Sequence, residues 1–513
     1  QRVIAAAAAG AVCDFRVNNP ATDDPPQAKA WGTDRALGAD VLRALCLGLR
    51  PDWPLDPRGV RVQGARIDGA LDLAAATVAV PLLFWGCAFT AAPIVRDAAL
   101  KALHLDGSRL PGLEGDGLTV QSSLFLRGIH AVGEVRLLGA RIGNDLDCSD
   151  GSFDNPGGRA LSADRLTTGG GVYLRNGFRA VGAVRFLGAK IGGNIECDRG
   201  RFENPEGVAL NADGLTTGGN VFLRNGFRAV GEVRFLGAKI GGDLSCIKGS
   251  FDNPGGVALS ADGADVRGGL FWRQLQAPPD GHVLLAHATV GVLADDLQSW
   301  PGPGALNLSG FVYGAIAASS MTDAEKRLDW LRRQDPQFFS PQPYEQLAKV
   351  LRQMGHDDDA RKIAIARKQA LIARSGNPAS RLARHLVLLP VGYGYRPGRA
   401  LWSLLALIAF GTLVFSGPVG GGAMLPVKLG EAQVAAYPTC AALPSGYPRF
   451  QPLVYAIDTA LPIIDFHQEA WWMPDEADVR GFWTQVYLWL HIALGWLLTT
   501  LGIAAVTGII KRD

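Results

Sequence analysis

The sequence predicts a mainly β chain: a parallel, right-handed β-solenoid built on 49-residue repeats, followed by a helical neck and a two-helix transmembrane hairpin. Three observations carry this expectation. Long stretches recur at a fixed interval, their internal period is two residues, and the last quarter contains apolar runs without charge. Composition agrees: 65 of the 513 residues are Gly, close to twice the usual ~7%. Lys+Arg 50 and Asp+Glu 48 nearly cancel, which argues against a nucleic-acid coat protein. The Gly spacing is too irregular for collagen, and 48% hydrophobic residues exclude a disordered chain.

Residues 1–58 form the first region, read as a helical and irregular cap. The Ala-rich run from Val3 to Val12 lacks leucine and is followed by Cys13 and charged residues, so a short surface helix is expected rather than a cleaved signal. The seven Cys are scattered and none forms CxxC. Neither a disulfide framework nor a zinc ribbon is therefore expected.

Residues 59–313 carry the repeat. VGEVRLLGARIGNDLDCSDGSFDNPGG starts at Val132, VGAVRFLGAKIGGNIECDRGRFENPEG at Val181 and VGEVRFLGAKIGGDLSCIKGSFDNPGG at Val230, 49 residues apart each time. Weaker copies begin at Gly59 and Val266. Apolar and polar residues alternate in Val184-Arg185-Phe186 and Ile195-Glu196-Cys197, with Gly corners between such runs. Strands this short gain stability only by stacking, which predicts two coils of about 24 residues per unit and on the order of ten coils in all. The DNPGG segment is expected as an exposed turn.

Polar columns repeat with the coils. Arg136, Arg185 and Arg234 occupy equivalent outward positions, as do Arg141, Lys190 and Lys239. A row of like charges is a candidate binding face for an anionic polymer or an acidic partner. Between Leu118 and Val266, however, 16 Lys+Arg balance 16 Asp+Glu, so duplication of solvated positions explains the columns equally well. Asp145, Asp147, Glu196 and Asp243 resemble solvated acids more than a lyase or hydrolase cluster. The Cys148, Cys197 and Cys246 column reads as a buried ladder.

Residues 321–395 read as a basic helical neck. Asp323 is placed to cap DAEKRLDWLRR, and PYEQLAKVLRQMG and HDDDARKIAIARKQALIAR form a helix pair joined at Gly355. From Arg361 to Arg399 there are nine Lys/Arg and no Asp or Glu. Such a stretch before a membrane span suits an anionic inner leaflet.

Residues 396–513 supply the hairpin. Ala400 to Phe415 and Val486 to Ile510 carry no charge and are read as the two spans. Arg396, Arg399, Lys511 and Arg512 flank their outer ends, whereas residues 417–485 hold three cations against seven acids. The positive-inside rule then places the solenoid, neck and C-terminus in the cytoplasm of a bacterium, with a multi-pass inner-membrane location. Inside the loop, Gln451 to Pro474 has an apolar core too short to span, interfacial or re-entrant in character. Asp458, Asp465, His467, Glu469 and, in the second span, His491 are the candidate membrane-level functional residues. Span, half-helix, span is a simple pore layout, although no TVGYG-like carbonyl filter is present. Gly495, Thr499, Gly502 and Gly508 offer small residues for helix packing.

Taken together, GVRVQGARIDGALDL, PYEQLAKVLRQMGHDDDARKIAIAR, LPIIDFHQEAWW and GWLLTTLGIAAVTGIIKR resemble a family of predicted bacterial membrane proteins. These carry β-solenoid, pentapeptide-like repeats before a C-terminal membrane hairpin and are often labelled membrane-associated oxidoreductase. The resemblance implies the architecture and, through the label, an oxidoreductase activity, but transfers no catalytic residue. The residues themselves do not support that chemistry. Gly169-Gly170-Gly171 lies within the repeat and Gly392-Tyr393-Gly394 precedes a span, so neither has the strand–helix context of a dinucleotide site. No haem or iron–sulfur pattern and no GxSxG is present, so neither a cofactor nor a catalytic group is expected.

The leading expectation is a non-enzymatic, membrane-anchored solenoid that presents a cytoplasmic binding or assembly surface to a protein or ligand. An oligomeric channel gated by the solenoid stands second. Its partners would be anionic lipid and further copies of itself, rather than nucleic acid.

Overall fold

The computed structural model describes residues 1–374, 378, 398–416, 424–427, 443 and 446–506, in two compact units, Gln1–Ile363 and Ala364–Asp513. The first unit is a parallel β-solenoid of about 11 turns. One coil shows the pattern. Thr119–Val120, Leu124–Phe125, His130–Ala131 and Val135–Arg136 are four two-residue strands. Each pairs in parallel with its counterpart one coil on: Thr119 with Arg141, Leu124 with Leu146, His130 with Ser152, Val135 with Leu161. A two-residue strand has too few internal bonds to stand alone; the neighbouring coils satisfy its backbone groups.

Corners turn in the left-handed region. Gly117, Gly139, Arg165, Gly188, Gly214 and Gly237 occupy successive equivalent corners with φ between 57 and 69°. Gly adopts this without a Cβ penalty. Arg165 stands there against its intrinsic preference, held by the coils on either side.

Successive coils differ in length. The Leu187 amide reaches back 23 residues to Asp164, and that of Asn220 reaches back 26 to Asn194. The longer coils contain Ser152–Ser162, Arg201–Asn211 and Ser250–Ser260. In the first of these, pairing jumps from Asp154 to Arg159 while its partner moves only from Val181 to Ala183. The extra residues bulge outward, and Asn155 Nδ2 closes the bulge on the Arg159 carbonyl at 2.8 Å. Asn204 and Asn253 do the same at 3.0 and 2.7 Å. The DNPGG segment, expected as an exposed turn, is a bulge within an 11-residue strand. Its tip, Pro156-Gly157, is exposed and its flanks stay paired.

Inward side chains fill the coil. Phe153, Phe178, Phe202, Phe227, Phe251, Trp272, Trp300 and Trp330 form a continuous aromatic stack with centroids 5.1 to 5.8 Å apart. Each such pair adds about 0.5–1.5 kcal/mol beyond burial of its area.

Both ends are closed. At the first coil, helix Arg2–Ala9 contacts the first strands. Buried Arg35 there donates twice to the Gly64 carbonyl, pairs with Asp23 at 2.8 Å and stacks on Trp31. At the last coil, Asp323 caps helix Ala324–Arg332 by accepting from the Glu325 and Lys326 amides, as expected. That helix supplies Trp330 to the aromatic stack and Arg327 to a fully buried pair with Asp295, two bonds of 2.8 Å. Helix Gln342–Gln353 covers the final strand, Val312–Ile316, with Gln342 and Gln346 donating to the Phe311 and Tyr313 carbonyls. An open sheet edge invites further pairing, and this helix removes it. The helices read as a neck thus begin as a cap on the solenoid. The next helix, Asp357–Arg374, follows Gly355.

The second unit contains helices Gly398–Ser416, Pro452–Ala460 and Val479–Val506, and a short antiparallel pair, Met424–Pro426 with Trp472–Pro474. Within Val479–Ala504 lies the one helix among the described residues long and apolar enough to cross a membrane; Leu401–Ser416 is a shorter apolar helix. The end of the expected second span, from Thr507 on, and most of the basic stretch after Arg374 lie outside the described residues.

Candidate functional site

The two groups of candidate residues have different surroundings. On the solenoid, Arg136, Arg185 and Arg234 do not stack on one another. Arg136 pairs in register with Ser162, Ser162 with Arg185, and Arg185 with Asn211, so two coils separate each Arg from the next. Each guanidinium reaches an aspartate at the corner one coil back: Asp116 at 2.5 Å, Asp164 at 2.7 Å and Asp213 at 2.7 Å. Those carboxylates also accept from the amides of Leu138, Leu187 and Leu236. This column fastens one coil to the next.

Arg141, Lys190 and Lys239 alternate with Thr167 and Thr216 along another column. All three are exposed, and among the described residues none of them makes an ion pair. Beside Lys239 is an open groove of about 280 Å³ lined by Thr216, Gly218, Gly241, Asp265 and Arg267. The acids considered with them are occupied. The Gly171 amide donates to Asp145, the Gly269 amide to Asp243, and Arg175 to Glu196. Burial pushes the thiols of Cys148, Cys197 and Cys246 far above their ordinary value. They are protonated packing groups rather than nucleophiles.

In the second unit the membrane-level candidates separate into a buried pair and an exposed set. Asp458, on the half-helix Pro452–Ala460, is 7% exposed. It accepts from the Phe466 amide at 2.6 Å and the Glu469 amide at 3.0 Å, folding the following turn back against its own helix. His491 is fully buried between the three helices. Its Nε2 lies 3.0 Å from the Ala456 carbonyl, which accepts only, so Nε2 carries the proton. Nδ1 then accepts from the Tyr487 hydroxyl at 3.0 Å. Asp465, His467 and Glu469 are exposed on the turn, with Asp465 bonded to His467 Nδ1 at 2.6 Å. The structure thus does not gather the five residues into one centre.

Of the groups that hold this arrangement, sequence reading found Gly495 and missed the others. Phe415 meets Tyr455, Tyr487 and His491 edge-on, with centroids 4.9 to 5.8 Å apart. A Cβ at Gly411 would lie 2.5 Å from His491, and one at Gly495 would lie 2.3 Å from the Ala460 carbonyl. Gly495, noted for its size, is thus where the half-helix meets the long helix. Gly411 gave only the weak signal of a Gly within an apolar run. Among the described residues no group of three or more His, Cys, Asp or Glu could hold a metal ion.

Compared with known proteins, the chain matches no family model, no curated protein and no solved structure. The oxidoreductase label implied by resemblance gains no support from these comparisons.

Proposed function

We propose that this chain is a multi-pass protein of the bacterial inner membrane, whose capped solenoid presents a cytoplasmic binding or assembly surface and catalyses nothing. The second unit is its anchor, with Gly398–Ser416 and Val479–Val506 as a two-span hairpin. One observation carries the reading. Trp402, Leu405 and Leu413 on one helix and Trp489, Leu490, Trp496 and Leu497 on the other are 41 to 73% exposed. Apolar exposure on that scale marks a surface meant for lipid or protein rather than water. Nine Lys/Arg between Arg361 and Arg399, with Lys511 and Arg512 after the second helix, favour a cytoplasmic solenoid. In this reading the coils wind right-handed, as parallel crossovers do, and Val181 to Ala229 is one exchangeable 49-residue unit. The exposed row Arg141, Lys190 and Lys239 is the favoured contact face, for an anionic polymer or an acidic protein.

Alkaline phosphatase fused after Gly422 is expected to be active in a bacterial host, and a fusion at Asp513 inactive. The reverse pattern overturns the cytoplasmic placement, and activity at neither or both positions overturns the two-span hairpin.

A second reading, an oligomeric channel gated by the solenoid, is favoured by one specific observation. The half-helix Pro452–Ala460 packs between the two longer helices, contacting both. A pure anchor has no need of it.

A further inference from the structure

We infer that residues 461–469 form a re-entrant turn that, at mid-membrane, faces the same turn of further copies of this chain across a shared aqueous axis. This rests on the membrane placement proposed above and on contacts that set relative depth. Gly411 abuts His491, and Phe415 meets Tyr487 and His491, so the two long helices run antiparallel alongside one another. The half-helix runs parallel to Val479–Val506, because His491 bonds the Ala456 carbonyl and, four residues on in both helices, Gly495 touches Ala460. Tyr487, level with Phe415 near the end of the first helix, lies about 12 Å from Gly495 at 1.5 Å per residue. Ala460 therefore ends close to the middle of a ~30 Å hydrocarbon layer.

The chain does not continue across. Asp458 holds the Phe466 and Glu469 amides, so the turn reverses at that depth. Trp472 is already back in the short pair with Pro426. The turn exposes polar groups there: the Asp465 and His467 side chains are 71 and 73% exposed, and Glu469 is exposed beside them. Ionisable side chains at that depth face protein or water-filled space rather than lipid. The same turn exposes Ile463 at 77% and Phe466 at 52%, apolar surface that an aqueous axis alone would not cover. A second copy meets both demands. Its own Ile463 and Phe466 pack against these, and its Asp465 and His467 share the water between them.

The test uses the full chain in liposomes, with Cys440→Ser to remove the cysteine of the loop. His467→Cys and, separately, Ile463→Cys are treated with a membrane-impermeant thiol reagent and, in parallel, with an oxidant that forms disulfides. Asp475→Cys, beyond the short strand pair, is the aqueous-side control, and Trp496→Cys, labelled only by a lipid-soluble maleimide, reports the membrane. The expected result is labelling at position 467 within about tenfold of the rate at 475, with a disulfide-linked dimer from at least one of the two turn variants. A monomer with both turn cysteines, or absence of labelling at 467 while 475 reacts, overturns the shared axis. If Trp496→Cys reacts with the impermeant reagent as well, the membrane placement itself fails, an outcome separate from failure of the assembly.

Discussion

Carboxylates brace each unit internally, in opposite ways. In the solenoid, Asp116, Asp164 and Asp213 each accept a backbone amide and an Arg one coil on. The device recurs along the stack, so no single copy is indispensable. In the helical unit, Asp458 accepts both amides that turn the chain after Ala460, and among the described residues no equivalent carboxylate repeats the device. Repetition shares load among equivalent bonds, whereas the half-helix depends on one side chain. The same contrast governs burial. Cations within the coils lie at the surface with partners or water, whereas Arg35 and Arg327 at the two ends are buried on Asp23 and Asp295.

The contrast breaks most visibly when register is lost. Deleting Val181 to Ala229 rejoins Ala180 to Val230, equivalent positions in the stack, and should leave β circular dichroism per residue and cooperative melting in place. Deleting 37 residues from the same start exchanges inward for outward faces and should abolish folding. Equal losses in the two variants would contradict the stacked-coil account.

Removing half of the buried cap pair is the next largest change. Asp295→Ala strands the Arg327 guanidinium without water, and such losses cost about 3–5 kcal/mol. Phe202→Ala, which interrupts the aromatic stack, should cost a similar ~3–5 kcal/mol. Urea unfolding followed by tryptophan fluorescence checks both.

Asp458→Leu should release the turn at a cost of about 1–3 kcal/mol per stranded amide. The readout is proteolytic cleavage between Ile463 and Glu469 of the chain in detergent, where the turn is free of lipid, accelerated in Asp458→Leu and intermediate in Asp458→Asn, which keeps one acceptor oxygen. Arg185→Ala is the smallest change, about 0–1 kcal/mol, because its pair is partly solvated. If Arg185→Ala proved as costly as Asp458→Leu, the distinction between shared and single carboxylates would not hold.

How far these features can be read in the sequence follows from how often they are written. The corners at Gly139, Gly188 and Gly237, the buried Cys148, Cys197 and Cys246, and the alternation in Val184-Arg185-Phe186 recur at one interval, and parallel stacking was legible from them. The partners of Arg185 and Arg234 were not, although Asp164 and Asp213 repeat in step, because strand spacing does not tell which coil a side chain reaches. The aromatic stack was hidden because Phe178 and Phe227 lie in one kind of coil and Phe153, Phe202 and Phe251 in the other. Asp458 and His491 stood out as ionisable residues in apolar stretches. Their partners, the Phe466 and Glu469 amides and the Ala456 carbonyl, are backbone atoms, and composition carries no mark of them. The Asp295–Arg327 pair is written once, across 32 residues, with no repeat to expose it.

The most direct test of the proposal that the half-helix enters the membrane is hydrogen–deuterium exchange of the full chain in lipid nanodiscs. Slow exchange is predicted for 452–460, for 486–500 and for the Phe466 and Glu469 amides that Asp458 holds, with fast exchange confined to the other amides of 461–469. Uniformly fast exchange from 452 to 472 would place that segment on the surface and contradict the account.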